Sequence, residues 1–321
     1  MWIYIADSAI MLPITIILEV SCGMKYISVS DAVNKWNISA RSVRKYCADG
    51  RVIGALLDGK TWRIPANAEK PARKARTVVR KTTLLECLKE EKEAGLSGGI
   101  YHKVQIELTY NSNHIEGSRL THDQTRYIFE TNTIGLKNQK LNVDDIVETV
   151  NHFRCIDLLI DQARYTLSES FIKQLHQILK SGTSDSRKAW FAVGDYKKLG
   201  NEVGGLETAL PDQVPLLIRQ LLKEYNASKE KSFEDIVEFH VQFERIHPFQ
   251  DGNGRVGRLI MFKECLRNQV TPFIIDDDLK EFYYRGLQEW NHEKGYLIDT
   301  CLTAQDRFRK YLDYFGIRYD A

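Results

Sequence analysis

Seven residues in one short stretch have the types and spacing for phosphate chemistry: His247, Asp251, Gly252, Asn253, Gly254, Arg255 and Arg258. Glycines at 252 and 254 let backbone N–H groups turn into one concavity, and an N-terminal helix end behind them adds partial positive charge. Arg255 and Arg258 are three apart and share one helix face over that concavity. His247 is the general-base type of residue, and Asp251 is an oxygen ligand for a hard cation. A Gly-Asn-Gly turn alone is usually a plain helix connection. A base, a carboxylate and two arginines around it point to phosphoryl or nucleotidyl transfer.

Two apolar runs position this stretch. Ile236, Phe239, Phe243 and Ile246 recur at helical spacing before it, and Leu259-Ile260-Met261-Phe262 follow it. The remaining apolar periodicity predicts helices over 101–111, 121–130, 143–164, 168–180, 213–227, 233–246, 255–267, 278–290 and 295–317. Residues 195–211, rich in glycine and alternating in polarity, predict a hairpin or irregular flap. His240, Glu244 and His247 fall near one helix face, but their spacing is not HExxH and Pro248 follows at once. His240 and His176 therefore read as packed histidines, not metal ligands.

The string from His247 to Arg258, HPFQDGNGRVGR, resembles the signature of the Fic (Fido) family, HPFx[DE]GNGRxxR, with every specified position matched. The resemblance implies a helical domain, with a β-hairpin flap, that transfers AMP from ATP to a Ser, Thr or Tyr hydroxyl of a protein, the chain itself included. It implies His247 as the base, Asp251 as the Mg²⁺ ligand, and Gly252, Asn253 and Gly254 as the phosphate cradle. Arg255 is then expected on the β-phosphate and Arg258 on the γ-phosphate. Ser112-Asn113-His114-Ile115-Glu116-Gly117 matches the family's inhibitory pattern, [ST]xxxE[GN], so Glu116, with Ser112, is expected to occupy Arg258. Gly194-Asp195-Tyr196-Lys197 through Asn201-Glu202-Val203-Gly204 resembles the family flap, which aligns a target segment by strand pairing and borders the nucleotide. Lys197 stands where arginine is common, and the proline-rich continuation is abbreviated. Tyr283, Tyr284 and Asn291 are similar to a late helix that borders adenine by stacking and base-edge hydrogen bonds.

Residues 24–68 form a different pattern. A short helix over 31–36 with Ser30 as N-cap, a turn at Asn37-Ile38-Ser39, and a second helix over 40–48 bearing Arg41, Arg44 and Lys45 precede two short strands. Those strands, Val52-Ile53 and Thr61–Ile64, flank a Leu57-Asp58-Gly59-Lys60 turn. The order resembles the excisionase/MerR-type winged helix-turn-helix, with the basic helix as the DNA reader; a protein-binding adaptor has the same pattern. Residues 69–95 read as a basic linker and connecting helix, and 96–321 as the Fic domain with its inhibitory motif at 112–117. The fold class expected is mainly α, with this small winged module in front.

Residues 1–23 read as an extension ahead of Met24 and not as a folded domain. Their apolar part, Ala9–Leu18, contains Pro13 and is bounded by Asp7 and Glu19, too short to cross a bilayer. No membrane partner is expected. The chain of 321 residues has 45 Lys and Arg against 43 Asp and Glu, so overall charge names no partner. Six scattered cysteines without CxxC spacing suit a reducing, cytoplasmic setting. Homo-oligomers are compatible with all of this. The competing readings are a DNA-binding regulator whose Fic half only senses nucleotide, and a Fic enzyme that transfers another nucleotide or removes AMP.

Overall fold

Ser28, Thr83, Thr121 and Ser232 each start a helix by the same device. The hydroxyl accepts the N–H of the residue three on, and that residue's side chain accepts the cap's own N–H. The computed structural model describes residues 25–48, 50–59, 61–71, 83–135, 140–203 and 206–319. The expected extension over 1–23 and most of the expected basic linker therefore lie outside the described residues. The chain divides between Val78 and Val79 into two compact units.

The first unit has helices α1 (Val29–Trp36) and α2 (Ala40–Ala48) and a three-stranded antiparallel sheet. Strand β1 (Tyr26–Ile27) pairs with β3 (Thr61–Pro65), which pairs with β2 (Leu56–Asp58). Val29, Ala32, Trp36, Val43, Cys47, Val52 and Ile64 form its core. Ser28, not Ser30, caps α1, because Asp31 stands three residues after Ser28 and closes the reciprocal bond. The hairpin's first strand begins at Leu56, not Val52; Val52 is buried in the core and Ile53 is 92% exposed, so neither joins the ladder. The third strand, β1, is too short to show a period in sequence.

The second unit is helical: α3 (Leu84–Ala94), α4 (Ile100–Ile115), α5 (His122–Thr131), α6 (Val143–Asp161), α7 (Glu169–Lys180), α8 (Val214–Asn226), α9 (Phe233–Ile246), α10 (Asn253–Arg267), α11 (Lys280–Glu289) and α12 (Gly295–Phe315). A two-stranded ribbon, β4 (Glu202–Val203) against β5 (Leu206–Glu207), interrupts them. Helix α10 is buried along nearly its whole length, from Asn253 to Leu266, and its apolar residues enter both main clusters of the core. A helix buried on all its faces is a central helix, and its charged residues Arg255, Arg258, Lys263 and Glu264 are each paired there. Its N-terminus is where the chemistry-bearing stretch lies, so the site is anchored to the most deeply buried helix described.

Candidate active site

The loop between α9 and α10 is shaped by two residues in left-handed backbone conformation. His247 ends α9 at φ 52°, and Gly252 opens α10 at φ 85°. A non-glycine residue at such φ costs energy, so His247 is held there by its surroundings. Asn253 does the holding from the other side. Its side chain is buried, accepts the Phe249 N–H at 2.8 Å, and donates to the Phe249 carbonyl at 2.8 Å. Both polar atoms of the Asn253 side chain thus brace the loop, which leaves its backbone N–H for the expected cradle.

His247 is partly buried, and its Nδ1 donates to the Glu244 carbonyl at 3.3 Å. That leaves Nε2 as the basic nitrogen. Burial pulls the imidazole down to about 4; the Lys197 charge acts the same way, while the Glu244 carbonyl, Glu116 and Asp251 oppose it. The ring is neutral at pH 7, as a base must be.

Asp251 sits at the other end of the loop. Its Oδ2 lies 2.6 Å from Lys180 Nζ and 3.2 Å from Arg255 Nη2. Burial works against ionisation there, but Arg255 and Lys180 outweigh it and hold the carboxyl down to about 2. Glu148 on α6 contacts both cations, Lys180 Nζ and Arg255 Nη1. Arg255 therefore faces Glu148 and Asp251 in this structure. Neither Glu148 nor Lys180 was expected from the sequence. A signal existed: Lys180 follows Ile172 and His176 at intervals of four on the buried face of α7, and Glu148 precedes His152 and Ile156 likewise on α6.

Arg258 is buried and points to the end of α4. Nε donates to Ser112 Oγ at 3.0 Å, and Nη2 donates to the Ser112 carbonyl at 2.9 Å and to Glu116 Oε1 at 2.6 Å. Burial works against the guanidinium's charge, but Glu116 more than compensates and raises its affinity for the proton. Glu116 is the C-cap of α4, with its side chain 30% exposed. Its carboxylate lies over the first turn of α10: a Cβ built on Gly254 would meet Glu116 Oε1 at 2.3 Å. An anion thus already rests at a helix N-terminus beside an arginine.

The flap and the late helix are placed less simply. Asn201 accepts from Lys197 Nζ and donates Nδ2 to the Phe249 carbonyl at 3.2 Å, so it fastens the flap to the loop. Glu202 is exposed and pairs with Glu207 in the ribbon, Val203 pairs with Leu206, and Gly204 lies outside the described residues. Tyr283 is 1% exposed, with its hydroxyl against His240 Nε2 at 2.6 Å; it is a core residue and offers no face for stacking a base, which corrects that expectation. Tyr284, on the same helix, is 40% exposed and donates to the Ile115 carbonyl at 3.3 Å. Asn291 is exposed and accepts from Arg245 Nη1 at 2.8 Å. His176 stacks on Phe249 with centroids 3.9 Å apart and accepts the Gly194 N–H, in keeping with a packed histidine. Glu244, beneath the site, has its carboxyl pushed up to about 8 by burial.

Residues 166–265 match the Fic/DOC family. The chain carries a Fic/DOC domain. That segment runs from the start of α7 to α10 and includes the flap, His247 and both arginines. The protein adenylyltransferase Fic of Nematostella vectensis is 30% identical over 199 residues, covering 57% of this chain and 42% of the relative. That of Drosophila mojavensis is 26% identical over 265 residues, covering 80% of this chain and 47% of the relative. The chain spans less than half the length of these curated relatives. Among solved structures, a Fic-domain signalling protein from Bacteroides thetaiotaomicron is 24% identical with a TM-score of 0.54, covering 72% of this chain and 91% of that one. Fic-1 from C. elegans is 16% identical with a TM-score of 0.57, covering 72% and 71%. The second unit therefore shares the fold of Fic proteins.

Proposed function

We propose that the unit from Val79 onward transfers AMP from ATP to a protein hydroxyl and is restrained by Glu116. The observation that carries this reading is the placement of Glu116 on Arg258, over Gly254, beside a neutral histidine. In the transfer, His247 Nε2 takes the proton of a Ser, Thr or Tyr hydroxyl. The oxygen forms a bond to the α-phosphorus as the bond to the β-phosphate oxygen breaks, and pyrophosphate leaves. Backbone N–H groups of Gly252, Asn253 and Gly254 line the phosphate cradle, and Arg258, once released, stabilises charge on the leaving group. Arg255, with Nη1 on Glu148 and Nη2 on Asp251, contributes its positive charge beside the cradle.

Among the described residues no group of three or more His, Cys, Asp or Glu could enclose a metal ion. Asp251 is half-exposed and ionised, which fits an ion shared with phosphate oxygens, the usual mode for Mg²⁺. Asp251 would hold that ion, which when bound neutralises charge on the phosphates.

The test is incubation of wild type, Glu116→Gly and His247→Ala with labelled ATP, GTP, UTP and CTP, read by intact mass. The expected result is AMP addition from ATP, increased in Glu116→Gly and lost in His247→Ala while that variant still binds ATP. Addition of another group would correct the nucleotide, and no addition in any lane would favour a nucleotide-sensing regulator.

For the first unit we propose DNA binding by α2. Arg41, Arg44 and Lys45 are exposed on it, while Val43 and Cys47 face the core, the division a groove-reading helix requires. The β2–β3 hairpin would serve as the wing. Duplex DNA retarded equally by wild type and by Arg41→Ala/Arg44→Ala would refute this and favour an adaptor. A cytoplasmic setting fits the free Cys47, Cys87, Cys155, Cys265 and Cys301, and no described helix is long and apolar enough to cross a membrane.

A further inference from the structure

Lys197 is 3% exposed, yet its hydrogen bonds run to uncharged acceptors. Nζ donates to Asn201 Oδ1 at 2.6 Å, to Thr208 Oγ1 at 2.7 Å and to the Ile246 carbonyl at 3.5 Å. The buried Lys180 and Lys263, by contrast, each have a carboxylate. An ammonium buried among neutral oxygens carries a desolvation cost that a structural site would avoid by using an apolar residue or a carboxylate partner.

The acceptors show what the cost supports. Asn201 and Thr208 lie on the two sides of the flap ribbon, and Ile246 is the residue before His247. The Lys197 backbone N–H adds a bond to the Pro248 carbonyl at 2.9 Å. Further along, Asn201 Nδ2 donates to the Phe249 carbonyl, and the Leu199 N–H donates to Gln250 Oε1 at 3.2 Å. The flap base is thus bonded to four loop residues, Ile246, Pro248, Phe249 and Gln250, with His247 between the first two. Among the described residues the ribbon's two strands pair only with each other, so it offers an edge to an extended segment.

We infer that Lys197 is a positioning residue that fastens the flap to the catalytic loop and so fixes where an acceptor hydroxyl meets His247. The inference rests on the adenylylation reading for its consequence, but its geometric half is independent of it. One cation bonds both sides of the flap and the residue before the base, so flap and base move as one body. The same charge faces the His247 ring, together with the Glu244 carbonyl, Glu116 and Asp251, and disfavours a second positive charge there. Burial lowers the Lys197 ammonium itself to about 8, which keeps it charged at neutral pH.

The experiment compares Lys197→Met, Lys197→Arg and Thr208→Val by hydrogen–deuterium exchange. In Lys197→Met the amides of residues 199–203 and 206–208 are expected to exchange roughly tenfold faster, while those of α4 are unchanged. Lys197→Arg retains slow exchange, and Thr208→Val, which removes one flap acceptor and leaves the lysine, shifts exchange in the same direction as Lys197→Met. In the Glu116→Gly background, Lys197→Met is expected to raise KM for the protein acceptor with ATP affinity unchanged. Its acid limb of kcat moves to higher pH, because the lost positive charge lets His247 protonate more readily. Exchange as slow as wild type in Lys197→Met, or an acid limb that does not move, overturns the inference. If Glu116→Gly alone transfers no AMP, the adenylylation reading fails, and the exchange data still decide whether Lys197 fastens the flap.

Discussion

Replacing Glu116 by Gly removes one bond whose strength can be worked from its surroundings. The bond is the 2.6 Å contact between Glu116 Oε1 and Arg258 Nη2, with the arginine buried and the carboxylate 30% exposed. A hydrogen bond between charged groups contributes about 2 kcal/mol net, between the fully exposed and fully buried limits. Any phosphate that is to occupy Arg258 must first displace this carboxylate. Its removal should therefore tighten ATP binding by roughly 30-fold, the equivalent of about 2 kcal/mol. Arg258 keeps its two bonds to Ser112, so the fold survives.

The carboxylate acts by volume as well as charge, since it fills the space above Gly254. Glu116→Gln keeps an atom in that volume while removing the charge, so its gain should be smaller than that of Glu116→Gly. Titration calorimetry with a non-hydrolysable ATP analogue measures both. The stability of the free protein should move the other way, because the variant leaves Arg258 without its carboxylate, and ATP should restore the loss. Equal ATP affinities in wild type and Glu116→Gly, with no gain in self-modification, would refute the reasoning.

Other consequences can be measured independently. Asn253→Ala removes both bonds to Phe249 and leaves that buried amide unpaired; it should cost about 2–3 kcal/mol in urea unfolding and abolish transfer, whereas an unchanged midpoint would mean the loop needs no brace. Glu148→Gln leaves Arg255 with Asp251, and Lys180 with Asp251 and the more distant Asp185, and should destabilise the fold by about 3 kcal/mol; a loss below about 1 kcal/mol would show that the remaining carboxylates suffice. Acid should destabilise the protein well above the range of carboxylate titration. His152, His176 and His240 are each lowered to about 3, chiefly by burial. Between that value and the ordinary histidine value of ~6.5 the unfolded chain binds more protons, so stability falls as pH falls, by up to about 1.4 kcal/mol per pH unit for each histidine. A urea midpoint that does not change between pH 6.5 and pH 4.5 would be inconsistent with buried neutral histidines.

The difference between what sequence reveals and what it hides is visible residue by residue. His247, Asp251, Gly252, Arg255 and Arg258 fall in one short stretch, and a turn between two amphipathic helices brings such residues together by local geometry alone. Glu116 lies 142 positions from Arg258, and only its match to a motif singled it out. Lys180 and Glu148 had no motif; they reach the site because α6, α7 and α10 pack against one another, and packing of that kind has no local signature. Tyr283 shows the reverse failure. Two adjacent tyrosines on a helix must point some 100° apart, so one faces the core and the other does not. Residue type could not say which was which, and burial placed Tyr283 inside and Tyr284 at the surface.

Three buried cations lie around the proposed phosphate cradle, and each has a carboxylate in the protein: Lys180 and Arg255 have Glu148 and Asp251, Lys180 also has Asp185, and Arg258 has Glu116. A triphosphate entering the site competes with all of them, and the partners are not equally easy to displace. Glu148 contacts two cations and stands within the helix α6, so losing it would weaken the pairing of both charges at once. Glu116 contacts one, is partly exposed, and is the C-cap just past the last residue of α4, where its backbone N–H makes a cap bond to the Asn113 carbonyl. A helix end frays at lower cost than a helix interior. Phosphate should therefore exchange first with Glu116, at Arg258, while Arg255 stays bound to Glu148. On the proposed reading the restraint and the binding site are the same arginine, and the position of its partner at a helix end would make the restraint reversible.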